Sequence, residues 1–265
     1  MNISSIGIMQ GRILPKYIDQ LQVFPIDTWR KEFDLAKNIG FQHIELLWDK
    51  KHDIKKVEGI AEPISYPSKL NVFSMCVDSI CSFTLLEDIL NEIEDVLSTF
   101  KENTPAVLVI PLLGKAAINN VDRLKEVIDK LNMHKVMNMI KKYNTKLARE
   151  LDMPATDIVE VLRHANSDLI GICLDSGNLW HYSNSPIKDI HTLSKKIIHV
   201  HIKDRDKAGN NVLLGNGLVD FKAFFNALKD IKYSNVATLE TKYFENPLSE
   251  AKINLNYIIR VVQQT

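Results

Sequence analysis

The 265-residue sequence predicts an α/β protein built as one (β/α)8 barrel. Three observations carry that prediction. Short apolar, β-branched runs recur eight times along the chain. Amphipathic helical patterns lie between most of them. No low-complexity tract and no linker rich in Gly, Pro or Ser interrupts the series, so a single domain over residues 1–265 is expected. An open, doubly wound sheet is the competing architecture. It normally carries a Gly-rich fingerprint after its first strand, and "GIMQGR" does not supply G-x-G-x-x-G.

The predicted strands fall at 3–9, 42–48, 70–77, 105–110, 145–150, 170–175, 197–202 and 235–240. The first helix, "DTWRKEFDLAKNIG", has Asp27 as its expected N-cap and Gly40 as its C-cap. "LLEDILNEIEDVLSTFKEN" repeats apolar residues at helical spacing, and "NVDRLKEVIDKLNMHKVMNMIKKY" reads as one longer helix. "PATDIVEVLRHA" opens on Pro154, which suits a first helical turn. "VDFKAFFNALKDI" and "LSEAKINLNYIIRVVQQ" complete the series. The patterns after the second and sixth strands are the weakest.

Composition narrows the function. Thirty-three basic and 33 acidic residues give no net charge, hence no strong field for nucleic acid or an anionic membrane. No apolar run reaches membrane-span length, and "MNISSIGIMQGR" lacks the pattern of a signal peptide. Cys76, Cys81 and Cys173 are odd in number and have no zinc-site spacing. A reduced, cytoplasmic setting is expected.

Side-chain parity locates the chemistry. Successive strand residues face opposite ways, and the outward side of a barrel strand packs on helices. In "IIHVHI", Ile198, Val200 and Ile202 form the apolar set, so His199 and His201 point inward. The same test turns Cys173 and Asp175, Thr238 and Glu240, His43 and Glu45, and Cys76 and Asp78 inward. In the fifth strand, Glu150 faces in while Arg149 falls on the helix side, where only a strand end open to solvent would suit it. Glu45, Asp78, Glu150, Asp175, His201 and Glu240 therefore converge on one mouth. Clustered carboxylates repel one another and are costly to bury unpaired. A divalent cation is the simplest compensation. Three carboxylates and an imidazole suit Mn²⁺ or Mg²⁺, with Zn²⁺ or Co²⁺ also compatible.

The motifs "ELDMP" (150–154), "CLDSGN" (173–178), "HVHIKDRD" (199–206), "GNGLVDF" (215–221) and "LETKY" (239–243) occur in that order. Together with "GIMQGR" and "GFQHIEL", they resemble the xylose isomerase-like TIM-barrel superfamily of sugar (phosphate) isomerases and epimerases. Endonuclease IV is a more distant relative. The resemblance implies one divalent metal held by Glu150, Asp175, His201 and Glu240. It further implies proton transfer beside a carbonyl through a metal-bound enediolate, with Glu150 and Glu240 as acid and base.

The sequence also departs from the family's pattern. Family epimerases often carry a histidine three positions after the metal aspartate; here that position is Asn178, with His181 three residues on. They often carry an arginine six positions after the metal histidine; here it is Lys207, with Arg205 nearby. Asn178, His181, Lys203, Arg205, Lys207, Arg12 and Glu45 are the expected substrate contacts. The cations among them suit a phosphate or carboxylate. The expected partner is a small sugar or sugar phosphate, with neither nucleic acid nor membrane; a homo-oligomer is compatible. A keto-inositol dehydratase-like lyase is the close variant. An endonuclease IV-like nuclease fits poorly, because only eight histidines are present and "GNGLVDF" lacks the preceding Asp and His of those relatives. A barrel that binds carbohydrate without catalysis is the third reading.

Overall fold

The computed structural model describes residues 5–15, 22–62, 70–118, 120–133, 135–165 and 167–265. Eight parallel strands close into a barrel. They are β1 (Ile6–Met9), β2 (His43–Leu47), β3 (Asn71–Cys76), β4 (Val107–Pro111), β5 (Lys146–Glu150), β6 (Ile170–Asp175), β7 (Ile197–Ile202) and β10 (Ala237–Leu239). The closed order is β1-β10-β7-β6-β5-β4-β3-β2, so neighbours in sequence are neighbours in space. Two further strands, β8 (Asp204–Arg205) and β9 (Asn211–Val212), form an antiparallel hairpin directly after β7.

The helices follow the amphipathic patterns: α1 (Trp29–Ile39), α2 (Leu86–Phe100), α3 (Val121–Met133), α4 (Val136–Lys142), α5 (Ala155–Ala165), α6 (Ser176–Tyr182), α7 (Pro186–Leu193), α8 (Phe221–Asp230) and α9 (Pro247–Gln263). Gly40 ends α1 at φ 112°, its N–H donating to the carbonyls of Ala36 and Lys37. Asp27 is not the N-cap of α1. Thr28 holds that position, and its hydroxyl donates to the carbonyl of Leu14 instead of capping the helix. Asp220 and Asn246 do cap α8 and α9, accepting from the N–H groups of Ala223 and Ser249. The long helix expected after β4 is two, α3 and α4, and residue 134 between them lies outside the described residues. After β2 the described residues hold only a short 3₁₀ turn at Ile54–Lys56, and after β6 two short helices, where the patterns are weakest.

Two apolar layers follow from strand parity. The outer one joins Ile8, Ile44, Met75, Leu108, Ile172 and Leu239 to helix residues such as Phe33, Phe224 and Phe225. Burying each such side chain contributes about 1.5–3 kcal/mol. The inner layer, within the barrel, comprises Met9, Leu47, Cys76, Val107, Val109, Ala148, Cys173 and Ile198.

Ile198 corrects the parity expectation. The β6–β7 register shifts between Ile172 and Cys173, which pair with Ile197 and His199. The extra residue on β7 turns Ile198 inward onto Gly171, where a Cβ would lie 2.8 Å from it. Past the bulge, His199 and His201 face inward as expected. Arg149 also departs from expectation. It reaches no solvent: it is 2% exposed and paired in register with Ile110 and Ile172 of the outer layer. Among the described residues none of its three guanidinium nitrogens has a hydrogen-bond partner, and burial pushes the group down to about 9.

The β1–α1 loop is tied by a buried carboxylate. Glu32 of α1 accepts from the N–H groups of Gly11, Ile13 and Leu14. Gly7 leaves room for the His43 ring, since a Cβ there would lie 2.2 Å from it. His43 bridges Ser5 Oγ (2.7 Å) and Thr238 Oγ1 (3.0 Å), a structural tie across β1.

Candidate active site

Four side chains meet at the carboxyl end of the barrel. Glu150 and Asp175 are the last residues of β5 and β6, His201 is next to last in β7, and Glu240 follows β10. Register sets them side by side, with Asp175 opposite His201 and His201 opposite Thr238. One ligating atom from each of Glu150, Asp175, His201 and Glu240 lies within 4.8 Å of all the others. Asp175 also caps α6, its Oδ1 accepting from Asn178 N–H at 2.7 Å, which leaves Oδ2 for the centre.

His201 is oriented from below. Its Nε2 lies 2.8 Å from Glu45 Oε1, which turns Nδ1 toward Glu240 Oε2 (3.1 Å) and Glu150 Oε2 (3.8 Å). Glu45 Oε2 lies 2.6 Å from His199 Nε2 and accepts from Ser74 Oγ at 2.5 Å. Both Glu45 oxygens are thus engaged and the side chain is fully buried. Glu45 was expected to touch the substrate; the structure places it beneath His201, in the geometry of a carboxylate that orients an imidazole. His199 likewise belongs to this buried support.

Lys203, an expected substrate contact, is buried. It continues the inward parity of His199 and His201, and its Nζ lies 3.1 Å from Asp175 Oδ2, 3.3 Å from Glu240 Oε2 and 4.0 Å from Glu150 Oε1. Arg12 is buried too. It donates to Gln22 Oε1 at 2.7 Å, and Gln22 Nε2 donates to Glu240 Oε1 at 2.7 Å, so Arg12 acts on the mouth through Gln22. Gln22 carries no sequence signal that marks it. Asn178 Nδ2 donates to Glu150 Oε1 at 2.8 Å. Asp204, adjacent to Lys203, is a structural anchor. Its carboxylate accepts from the N–H groups of Gly215, Gly217 and Val219, which fastens the "GNG" loop to the β8–β9 hairpin. Arg205 is half-buried in that hairpin and Lys207 is exposed at its turn. His181 on α6 packs against Gly209 of the same turn, where a Cβ would lie 3.2 Å from the ring. The structure thus gathers Asn178 and Lys203 at the four-residue centre and sets Arg205, Lys207 and His181 on the hairpin side. A cavity of about 430 Å³ opens beside Glu150 and Asp175, bounded by Met153, Asn178, Tyr182, Ser185 and Lys188.

The electrostatics separate the two glutamates. Burial pushes Glu150 up to about 8; Lys203 opposes this, and the Glu240 and Asp175 carboxylates add to it. Burial raises Glu240 too, but the Lys203 ammonium and the His201 contact outweigh it and hold its carboxyl well below the usual range. Glu45 is also held low, because His201 and His199 outweigh its burial. Asp78, at the same rim, is pushed up to about 7 by burial and by Glu240.

The donor set fits a divalent ion. Three carboxylates and one imidazole nitrogen are hard-to-borderline ligands, and Nδ1 of His201 has no geometrically satisfied hydrogen bond of its own. Among the described residues the other metal-capable group is Cys173–His199–His201, which shares His201. The described residues form no separate multi-metal centre. No helix among them is long and apolar enough to cross a membrane.

Residues 113–261 match the xylose isomerase-like TIM barrel family. An L-ribulose-5-phosphate 3-epimerase (UlaE) of Salmonella paratyphi A is 26% identical over 261 residues, covering 84% of this chain and 86% of that protein. An inosose isomerase of Bacillus subtilis is 26% identical over 183 residues, 62% of this chain and 65% of that one. Among solved structures, the 3-keto-D-glucoside 4-epimerase YcjR of E. coli superposes with a TM-score of 0.73 at 19% identity, covering 97% of this chain and 99% of the other. A zinc-bound IOLI protein superposes with a TM-score of 0.72 at 17% identity, covering 98% of both chains. The barrel, the ordered motifs and the match over residues 113–261 agree: this chain belongs to the xylose isomerase-like TIM barrel family.

Proposed function

We propose that this protein is a divalent-metal-dependent isomerase or epimerase of a sugar or sugar phosphate. One observation carries the reading: ligating atoms of Glu150, Asp175, His201 and Glu240 converge within 4.8 Å at the carboxyl end of a parallel barrel. The relatives named as sugar epimerases and isomerases support the substrate class. Glu150, Asp175, Nδ1 of His201 and Glu240 would hold the ion. Bound there, it would polarise the carbonyl and adjacent hydroxyl of the sugar and acidify the C–H between them.

The protein's own groups move the proton. Glu240, held ionised, is the group suited to remove it. Glu150, the second glutamate of the centre, is the group suited to return a proton, at the neighbouring carbon or on the other face. The exchange leaves substrate and product as isomers, so no redox partner is needed. Gln22 and Asn178 fix the two carboxylates, each through one hydrogen bond. Arg205, Lys207 and His181, on the hairpin side, are suited to the far end of the substrate.

The test is deuterium exchange. The protein is incubated with Mn²⁺ in D₂O with ketoses, ketose phosphates and a keto-inositol, and followed by proton NMR. The expected result is deuterium entering one C–H next to the carbonyl, with the isomer appearing in step. Water loss from the keto-inositol alone would reassign the protein as a lyase. No exchange in any compound, with Mn²⁺ bound, contradicts the reading.

A further inference from the structure

Lys203 sits where a metal's charge would go. Its side chain reaches three of the four candidate ligands: Asp175 at 3.1 Å, Glu240 at 3.3 Å and Glu150 at 4.0 Å. It is 6% exposed. The placement is built into the backbone. Ser176 Oγ donates to the Lys203 carbonyl at 2.7 Å and lies 3.0 Å from the Lys203 N–H, which clamps the residue to the start of α6. Gly177 supplies the channel for the stem, because a Cβ there would lie 2.7 Å from Lys203 Cγ. The "SG" of "LDSG" thus serves Lys203, just as the Asp serves the centre.

The carboxylates need a cation, and Lys203 already is one. A divalent ion bonded to the same oxygens brings two positive charges against the ammonium in a buried site, where like charges repel strongly. The two therefore compete for the same oxygens. The ammonium, however, is held by the carboxylates themselves, and the four-carbon stem behind it is flexible. We propose that Lys203 is a resident counter-cation of the carboxylate cluster, which a divalent metal must displace to bind. The displaced ammonium swings toward the mouth, so metal loading and the exposure of Lys203 are one event. Lys203 thereby sets the metal affinity. The proposal rests on the metal reading above.

The experiment is a Mn²⁺ titration of the whole protein by calorimetry, wild type against Lys203→Met, with circular dichroism to confirm folding. The variant keeps the stem and removes the charge. It should bind Mn²⁺ at least tenfold more tightly than wild type. Equal affinity within twofold, or weaker binding, overturns the role of Lys203 while leaving the metal reading intact. No Mn²⁺ binding by either folded protein refutes the metal reading itself. A second measurement needs no variant. Wild type is treated with an amine-acylating reagent, and modification at Lys203 is followed by mass spectrometry with and without Mn²⁺. The rate should rise at least fivefold with Mn²⁺, while the rates at Lys31 and Lys222 stay unchanged; an unaltered Lys203 rate contradicts the displacement.

Discussion

Arg149 and Glu150 are adjacent on β5, both are buried, and their surroundings could hardly differ more. Glu150 turns inward and meets Asn178, Lys203 and His201. Arg149 turns outward into the helix-packed layer and meets no hydrogen-bond partner among the described residues. The inward charge belongs to a network in which each anion has a cation or donor within about 4 Å, so its burial is compensated and put to use. The outward charge is uncompensated, and its burial is a cost without a visible return. The lesson is that burial of a charge says little by itself; the partners decide whether it marks a site.

The comparison can be broken at several points. The largest effect is expected at Glu240. Glu240→Gln should lower turnover by about 10²–10⁴-fold, because it removes the ionised carboxylate suited to take the proton. Steady-state rates at saturating Mn²⁺ measure this, and a near-normal rate would remove Glu240 from the mechanism.

The next effect is on pH. Glu150 is pushed up to about 8, so below that pH its proton competes with a metal ion for the same oxygens. Metal affinity should therefore rise with pH, by about tenfold per unit for each competing proton. The rise runs up to about pH 8 for Glu150 and beyond it for His201, whose burial is outweighed by acidic neighbours that hold its proton well above the ordinary imidazole range. Mn²⁺ titrations from pH 6 to 9 give the slope. A flat profile contradicts a competing proton in the cluster.

A smaller loss is expected beneath the centre. Glu45→Gln removes the carboxylate that orients His201, and it should weaken Mn²⁺ binding by about 10–100-fold without touching a ligand. Unchanged affinity would mean that His201 is held by its other contacts. The smallest effect belongs to the outer face of β5. Arg149→Met replaces an unpartnered cation with an apolar chain of similar length. It should stabilise the protein by at least about 1 kcal/mol, raising the melting temperature by about 2–4 °C. A drop in stability on calorimetry would show that the guanidinium has a partner after all.

Much of this was legible in the sequence, for a physical reason. Strand parity is local, so "IIHVHI" and "CLDSGN" were enough to turn His201 and Asp175 inward, and the closed barrel brings strand ends to one rim. The rest depended on contacts that parity does not carry. Lys203 reads as a substrate contact, because only the structure shows that the inward alternation runs one residue past β7 and brings the ammonium onto Asp175. The partner of Glu45 is 156 residues away, beyond any local signal. Gln22 sits in a loop whose approach to Glu240 spans 218 residues. Ile198 was misread because a bulge shifts the register of a parallel pair without leaving a Gly or Pro in β7. Arg149 was read as solvent-reaching because a lone buried guanidinium is the costlier outcome, and the chain adopts it nonetheless.

The central claim is that Glu150, Asp175, His201 and Glu240 hold one divalent ion at the barrel mouth. The most direct measurement is anomalous scattering from crystals grown with Mn²⁺. One peak per chain is predicted there, bonded to those three carboxylates and to Nδ1 of His201 at about 2.0–2.3 Å, the range of divalent-metal bonds to oxygen and nitrogen, with the Lys203 ammonium moved away from Asp175. An empty mouth at saturating Mn²⁺, or a peak bound elsewhere, would contradict the account.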